Sequence, residues 1–242
     1  MSGQRRNAQT VVIIGLGDTG VLVASRLVKQ FKVIGITTKP NLVSGQELGK
    51  RLTDLPWWRV HYNTPLKRFL GLSAVEIIQA KAEWVNSEQR SVRVRLPDGL
   101  DSIIHYDYLV IASGTSNGFW RDDSIRSEKE IDDALQADAT RIEAANTIAV
   151  VGGGPCGVSC ALNIRRADPS KKVTLYFSGD QPLVGYHPTA QTYYDKILTD
   201  AGVTLQSNDR AIVPSVTPRS GVINFESGAS AEAEAILWTV GK

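Results

Sequence analysis

The chain has 242 residues, of which 42% are hydrophobic and 21% charged, a balance that supports one large core or two ordinary ones and excludes a disordered polypeptide. A net charge of +2 argues against nucleic acid or an anionic membrane as partner, and two cysteines rule out a disulfide-built secreted scaffold. Arg5 and Arg6 ahead of Val11 imitate a secretion signal, but Asp18 and three glycines break the apolar run and no clean cleavage site follows. No stretch approaches the ~20 apolar residues needed to cross a bilayer, and the Met-Ser start excludes N-myristoylation. The expectation is a soluble, cytoplasmic protein with no transmembrane segment.

Along the chain, Val11 to Ile14 is a β-branched run of the kind found in buried parallel strands. Glycines follow, then Val21, Ala24, Val28 and Phe31 at helical spacing, then a second strand over Lys32 to Thr37. Val92, Val94 and Leu96 alternate with polar residues before a Pro97-Asp98-Gly99 turn, and Ile103 to Tyr106 returns as the partner strand. The half closes on Tyr108 to Gly114. Arg121 to Ala145 is polar and helix-prone, which makes it the natural crossover, with a boundary near Asn117.

The plan then restarts. Thr147 to Val151 is apolar, Val158, Ala161, Leu162 and Ile164 suggest a helix, and Val173 to Phe177 supplies the next strand. Val203 to Gln206, Ala211 to Val216 and Val222 to Phe225 read as a further meander turning at Thr217 to Gly221, and Ala235 to Gly241 closes the half. Gly15, Gly17 and Gly20 have counterparts in Gly152, Gly154 and Gly157, each displaced by the same 137 positions. The fold class expected is α/β: two tandem three-layer Rossmann-like dinucleotide-binding domains, each with a parallel sheet and an antiparallel β-meander.

Gly15 to Gly20 fits G-x-G-x-x-G between a strand and a helix. In that motif the first glycine permits the tight turn, the second lets backbone approach a pyrophosphate, and the third allows close helix–strand packing. The helix N-terminus then offers free N–H groups and a positive dipole end. The carboxylate expected for the ribose diol, ~20 residues on, is missing from both halves. Thr37, with Lys39 nearby, stands there in the first, and Phe177 with Ser178 in the second, so the choice between NAD and NADP stays open. Cys156 and Cys160 share a helical face and read as inert core rather than a redox pair. His61, His105 and His187 lack metal-ligand spacing, so no metal is expected. Trp57-Trp58-Arg59 suits interdomain packing or a flavin-facing surface.

Two such units, each closed by an apolar strand running into Ala112-Ser113-Gly114 or Thr239-Val240-Gly241, resemble the pyridine nucleotide-disulfide oxidoreductase superfamily. The segments Lys39 to Trp58 and Ser113 to Trp120 look nearest to the branch of apoptosis-inducing-factor-like proteins and type II NADH dehydrogenases. The resemblance implies FAD on a domain spanning 1–117, held by Gly15, Gly17, Asp18, Thr19, Gly20, Thr37, Lys39, Arg51, Ala82, Ala112, Ser113 and Gly114. It implies NAD(P)H on a domain spanning 118–242, held by Gly152, Gly154, Pro155, Cys156, Gly157, Phe177, Ser178, Val240 and Gly241. Hydride would pass from nicotinamide to flavin and on to a quinone, dioxygen or an electron-transfer protein. Residues 38 to 56 lack the cysteines that the family's disulfide reductases keep there, so no redox-active disulfide and no catalytic side chain is expected. The family's chain returns to the FAD domain after the second motif, whereas this one stops at Lys242. The expectation is therefore a fragment or truncated relative that holds FAD weakly and self-associates, with a homodimer as the form expected. The competing expectation is a non-catalytic nucleotide-binding module or redox sensor, or an inactive fragment.

Overall fold

All five residues of β1 (Thr10–Ile14) are β-branched, and the middle three are buried, as a central parallel strand requires. The computed structural model describes residues 9–44, 48–114 and 123–240. In the first half, β1 leads through α1 (Asp18–Leu27) to β2 (Lys32–Thr37), the right-handed crossover that a βαβ unit demands. Then come β3 (Asn41–Val43), α2 (Leu48–Thr53), α3 (Leu55–Tyr62), β4 (Asn63–Pro65) and β5 (Glu76–Gln79). A three-stranded antiparallel meander of β6 (Lys81–Asn86), β7 (Ser91–Arg95) and β8 (Asp101–His105) precedes β9 (Tyr108–Ile111). The parallel sheet has the order β5-β2-β1-β9, with Ile13 opposite both Gly35 and Val110.

The period-2 pattern of β1 sorts its side chains between two cores. Val11 and Ile13 pack with Val21 and Ala24 of α1 on one face. Val12, Ile34 and Ile36 pack with Val92, Val94 and Ile104 of the meander on the other. Helix, sheet and meander thus form three layers.

The second half repeats the scheme. α4 (Glu128–Ala144) leads to β10 (Thr147–Val151), α5 (Pro155–Ala167) and β11 (Lys172–Tyr176), followed by α6 (Pro188–Asp200) and β12 (Thr204–Gln206). A hairpin of β13 (Gly221–Asn224) and β14 (Ser230–Ala233) precedes β15 (Ala235–Trp238), and the sheet order is β12-β11-β10-β15. Ile148 and Val150 face α5, while Ala149 and Val151 face Ile223 and Phe225 of the hairpin region.

Two expectations for this half are corrected. β12 pairs parallel to β11 and belongs to the main sheet, because α6 carries the chain back over it. The antiparallel element is the two-stranded β13–β14 hairpin, turning at Ser227-Gly228 with Gly228 at φ +87°. Ala211 contributes a single bridge to Phe225. Pro214 and Pro218 supply no N–H, so the stretch between them cannot continue a ladder.

The described residues divide into two compact units, 9–44 with 59–114 and 123–132, and 48–58 with 133–240. Residues 48–58, which a single cut near Asn117 would give to the first unit, pack into the second, and Asn117 lies outside the described residues. α2 approaches α5 so closely that a side chain on Gly49 would meet the Ser159 carbonyl at 2.4 Å, and Leu52 enters the second unit's core. Beside it, the buried Asp138 carboxylate is shared by Arg219 at 3.3 Å, Arg141 at 3.5 Å and Arg51 at 3.7 Å. Arg51 is only 1% exposed, so its charge depends on protein groups rather than water. Asp138→Ala should therefore destabilise the second unit by about 3 kcal/mol, read as a fall in the urea midpoint of the second unit's transition. An unchanged midpoint would show that Arg51 does not need this carboxylate.

Candidate nucleotide-binding sites

The two glycine loops perform the same three tasks with the same three positions. Gly15 and Gly152 adopt φ +95° and +122°, which turns the chain sharply out of β1 and β10. A Cβ on Gly20 would lie 1.9 Å from the Gly15 carbonyl oxygen, and one on Gly157 1.8 Å from that of Gly152. The third glycine of each loop therefore sets how closely helix meets strand. The middle glycines differ in kind: a Cβ on Gly17 or Gly154 meets nothing within 4 Å. Nothing in the protein needs these two positions to be glycine, and open space beside bare backbone is what an approaching pyrophosphate uses.

Gly17 and Gly154 are also the N-caps of α1 and α5, and neither helix start has a side-chain cap. α6, by contrast, is capped by His187 Nδ1, which accepts from the Thr189 N–H. The first-turn N–H groups of α1 and α5 thus remain available to phosphate oxygens. Asp18 and Thr19 are exposed in the first turn of α1, with the Ser44 hydroxyl 3.4 Å from the Asp18 carboxylate. Pro155 opens α5, where its missing N–H costs nothing, and Cys156 follows, half-buried.

The closing motifs seal the loops from below. Ala112 N–H donates to Ile14, and a Cβ on Gly15 would meet the Ala112 carbonyl oxygen at 2.5 Å. Ser113 and Gly114 continue from it, exposed, with Gly114 at φ +69°. In the second unit the Thr239 N–H and hydroxyl both donate to the Val151 carbonyl, and Val240 continues to the cavity wall. Gly241 lies outside the described residues.

The ribose corners diverge. Thr37 is buried, and its hydroxyl donates to the Lys39 carbonyl while accepting the Lys39 N–H. Thr37 thus closes its own turn, and Thr38 and Lys39 are the partly exposed groups at the tip of β2. Phe177 is buried too, and its ring fills the hollow over Gly153, where a Cβ would lie 2.7 Å from Phe177 Cβ. In the first unit, Leu16 of the loop lies over Gly35 of β2. Phe177 is core packing, and Ser178 is the exposed residue at that corner.

A cavity of about 650 Å³ opens in front of the second loop, lined by Gly152 to Gly154, Tyr176 to Gly179, Gln181, Val184, Arg210 to Val213, Glu226, Thr239 and Val240. Sequence reasoning missed the 210–213 and 226 wall, because those residues come near the loop only through pairing at the ends of β11 and β13. Two further expected site residues have these places. Arg51 is buried within the second unit beside Asp138. Ala82 is in β6, paired with Val94 and packed against the meander-side core of the first unit. Burial pushes the Cys160 thiol up to about 12, so it stays protonated and unreactive through neutral pH. Among the described residues, no three histidine, cysteine or carboxylate side chains gather as metal ligands, and no helix is long and apolar enough to cross a membrane.

A family model described as pyridine nucleotide-disulphide oxidoreductase matches residues 9–242. The chain belongs to that family. Among curated relatives, Oxidoreductase ptaL of Pestalotiopsis fici is 30% identical over 125 residues, 48% of this chain and 33% of that protein. Fe-regulated protein 8 of Mycosarcoma maydis is 28% identical over 183 residues, 69% of this chain and 45% of that protein. This chain thus spans less than half the length of the curated relatives it matches. Among solved structures, NDH2 of Plasmodium falciparum in complex with NADH superposes with a TM-score of 0.78 at 17% identity, over 98% of this chain and 55% of that one. The water-forming NADH oxidase of Lactobacillus brevis bound to NADH gives 0.72 at 17%, over 97% and 54%. These likenesses establish the fold: tandem Rossmann-like units of the family's kind.

The loop geometry separates two roles within one motif. Gly154→Val should leave the second unit's thermal midpoint within a few degrees of wild type and abolish nucleotide binding there, read by titration calorimetry. Gly157→Ala should instead lower stability by several kcal/mol, because backbone must move. Retained binding in Gly154→Val would show that this loop is not the phosphate site.

Proposed function

We propose that this chain is the nucleotide-binding part of an FAD-dependent NAD(P)H oxidoreductase, with FAD on the first glycine loop and NAD(P)H on the second. The observation that carries the reading is the duplicated loop: each unit has a sharp glycine turn, an uncapped helix start and open space above its middle glycine. Two such cradles in one chain suit a pair of dinucleotides. FAD would supply the redox chemistry, accepting hydride from the nicotinamide and passing electrons on.

The protein's share of the work is binding and exclusion. Gly15 to Gly20, the α1 N-terminus and Thr38 with Lys39 would hold one pyrophosphate and its ribose. Gly152 to Gly157, the α5 N-terminus and Ser178 would hold the other, with Tyr176 and Val240 closing the cavity wall. Burial raises the Tyr176 phenol above its usual range, so it faces the cavity neutral. No side chain is asked to act as acid, base or nucleophile, since hydride transfer between stacked rings needs none. Cys160 is sealed in the core, Cys156 sits at a phosphate loop, and neither carries a dithiol relay.

The acceptor is a quinone, dioxygen or an electron-transfer protein; a structural neighbour of this chain is putidaredoxin reductase, solved in covalent complex with putidaredoxin. The two unlinked cysteines fit a reducing compartment, and we assign the protein to the cytoplasm. A non-catalytic nucleotide sensor is the second reading. It is favoured by Thr37, whose hydroxyl is spent within its own turn and leaves the ribose corner of β2 without a carboxylate.

Anaerobic addition of NADPH or NADH to the FAD-loaded protein should bleach the flavin's visible absorption, and Cys160→Ala should do so at an unchanged rate. A spectrum that stays oxidised while nicotinamide nucleotide binds would favour the sensor instead.

A further inference from the structure

The cavity of the second unit carries a choice between the two nicotinamide nucleotides, an inference that rests on the reading of this cavity as the NAD(P)H site. NAD differs from NADP only at the adenosine 2′ position: a hydroxyl in one, a phosphate dianion in the other. A site for the free diol presents a carboxylate that accepts from both hydroxyls. A site for the phosphate presents cations and hydroxyl or amide donors.

At the tip of β11 the protein shows the second set. Phe177 N–H donates to the Gln206 carbonyl and Asn208 N–H to that of Gly179, which draws the segment after β12 alongside Ser178 and Gly179. Arg210 thereby joins Ser178 and Gln181 in lining one cavity. Among the described residues, Arg210 and Glu226 are the charged ones that line it. Asp180 follows Gly179 but does not line the cavity, and the Asp209 carboxylate is engaged by the Ser227 N–H and hydroxyl. Phe177, at the position where a diol-binding carboxylate would stand, has turned into the core.

Glu226 does not cancel Arg210. The pair is 3.9 Å apart, and the two side chains are 67% and 64% exposed, the regime in which an ion pair contributes little. A phosphate dianion meeting the planar guanidinium would displace that contact readily.

We propose that the cavity of the second unit is selective for the 2′-phosphorylated nucleotide, NADPH, with Ser178 and Arg210 reading the phosphate. Arg210 supplies the charge that discriminates, and Ser178 supplies a small neutral donor where a carboxylate would repel.

Titration calorimetry of the full chain with NADPH, NADH, adenosine 2′,5′-bisphosphate and AMP tests this without needing turnover. NADPH and the bisphosphate should bind roughly tenfold tighter than NADH and AMP. Arg210→Gln should erase that ratio, and Glu226→Gln should widen it by removing the competing carboxylate. Equal or tighter binding of NADH, or a ratio unmoved by Arg210→Gln, overturns the proposal. If NADH is preferred and Gly154→Val abolishes its binding, the cavity still takes nicotinamide nucleotide and only the selectivity falls. If none of the four ligands binds, the assignment of the cavity falls as well, and the selectivity with it.

Discussion

The contact on which both units depend is the approach of a helix's first turn to the carbonyl that ends the preceding strand. With Gly20 against Gly15 and Gly157 against Gly152, there is no room for a single methyl group. That contact fixes the helix axis over the sheet, lets Val21 and Ala24, or Val158 and Ala161, reach the strand's inner face, and aims an uncapped helix start at the space above the loop. Core and phosphate cradle are therefore consequences of one steric limit. Losing it would cost packing and binding together, whereas the middle glycine can be lost at the expense of binding alone.

Around that shared constraint the two copies differ in how loop and second strand pack. Leu16 leans over a glycine of β2 in the first unit, and Phe177 leans under a glycine of the loop in the second. Phe177 is buried against the loop at the ribose corner, and Ser178 is the exposed residue there. Thr37, at the matching place in the first unit, is withdrawn by its own turn. Both corners are thus neutral at the position where a carboxylate would read a diol, and the second acquires its charge from a distant segment through Arg210.

What was legible in the sequence follows from how local each signal is. β1, β2, β10 and α5 are set by short-range patterns of β-branched and helically spaced apolar residues, and the structure has them where those patterns place them, whereas α1 stops at Leu27, short of Val28 and Phe31 in the pattern. The hairpin was misread, because Ser230–Ala233 is Ser-Ala-Glu-Ala, poor in strand-forming residues, and is held by pairing with β13 and by burial of Ala233. Chain position alone offers Arg51 as a neighbour of the FAD phosphates or ring. Its location is decided by helix–helix packing of α2 on α5 and by Asp138, 87 residues further on. Arg210 carried no motif, and only the fold of β12 against β11 brings it to the cavity.

On the proposed reading, each glycine loop cradles its own dinucleotide. Hydrogen–deuterium exchange of the full chain reads the two loops separately, since the amides of 15–20 and 152–157 fall in different peptides. FAD should slow exchange in the first set and leave the second unchanged, and NADPH should do the reverse. Protection of neither loop, or of one loop by both nucleotides, would contradict it.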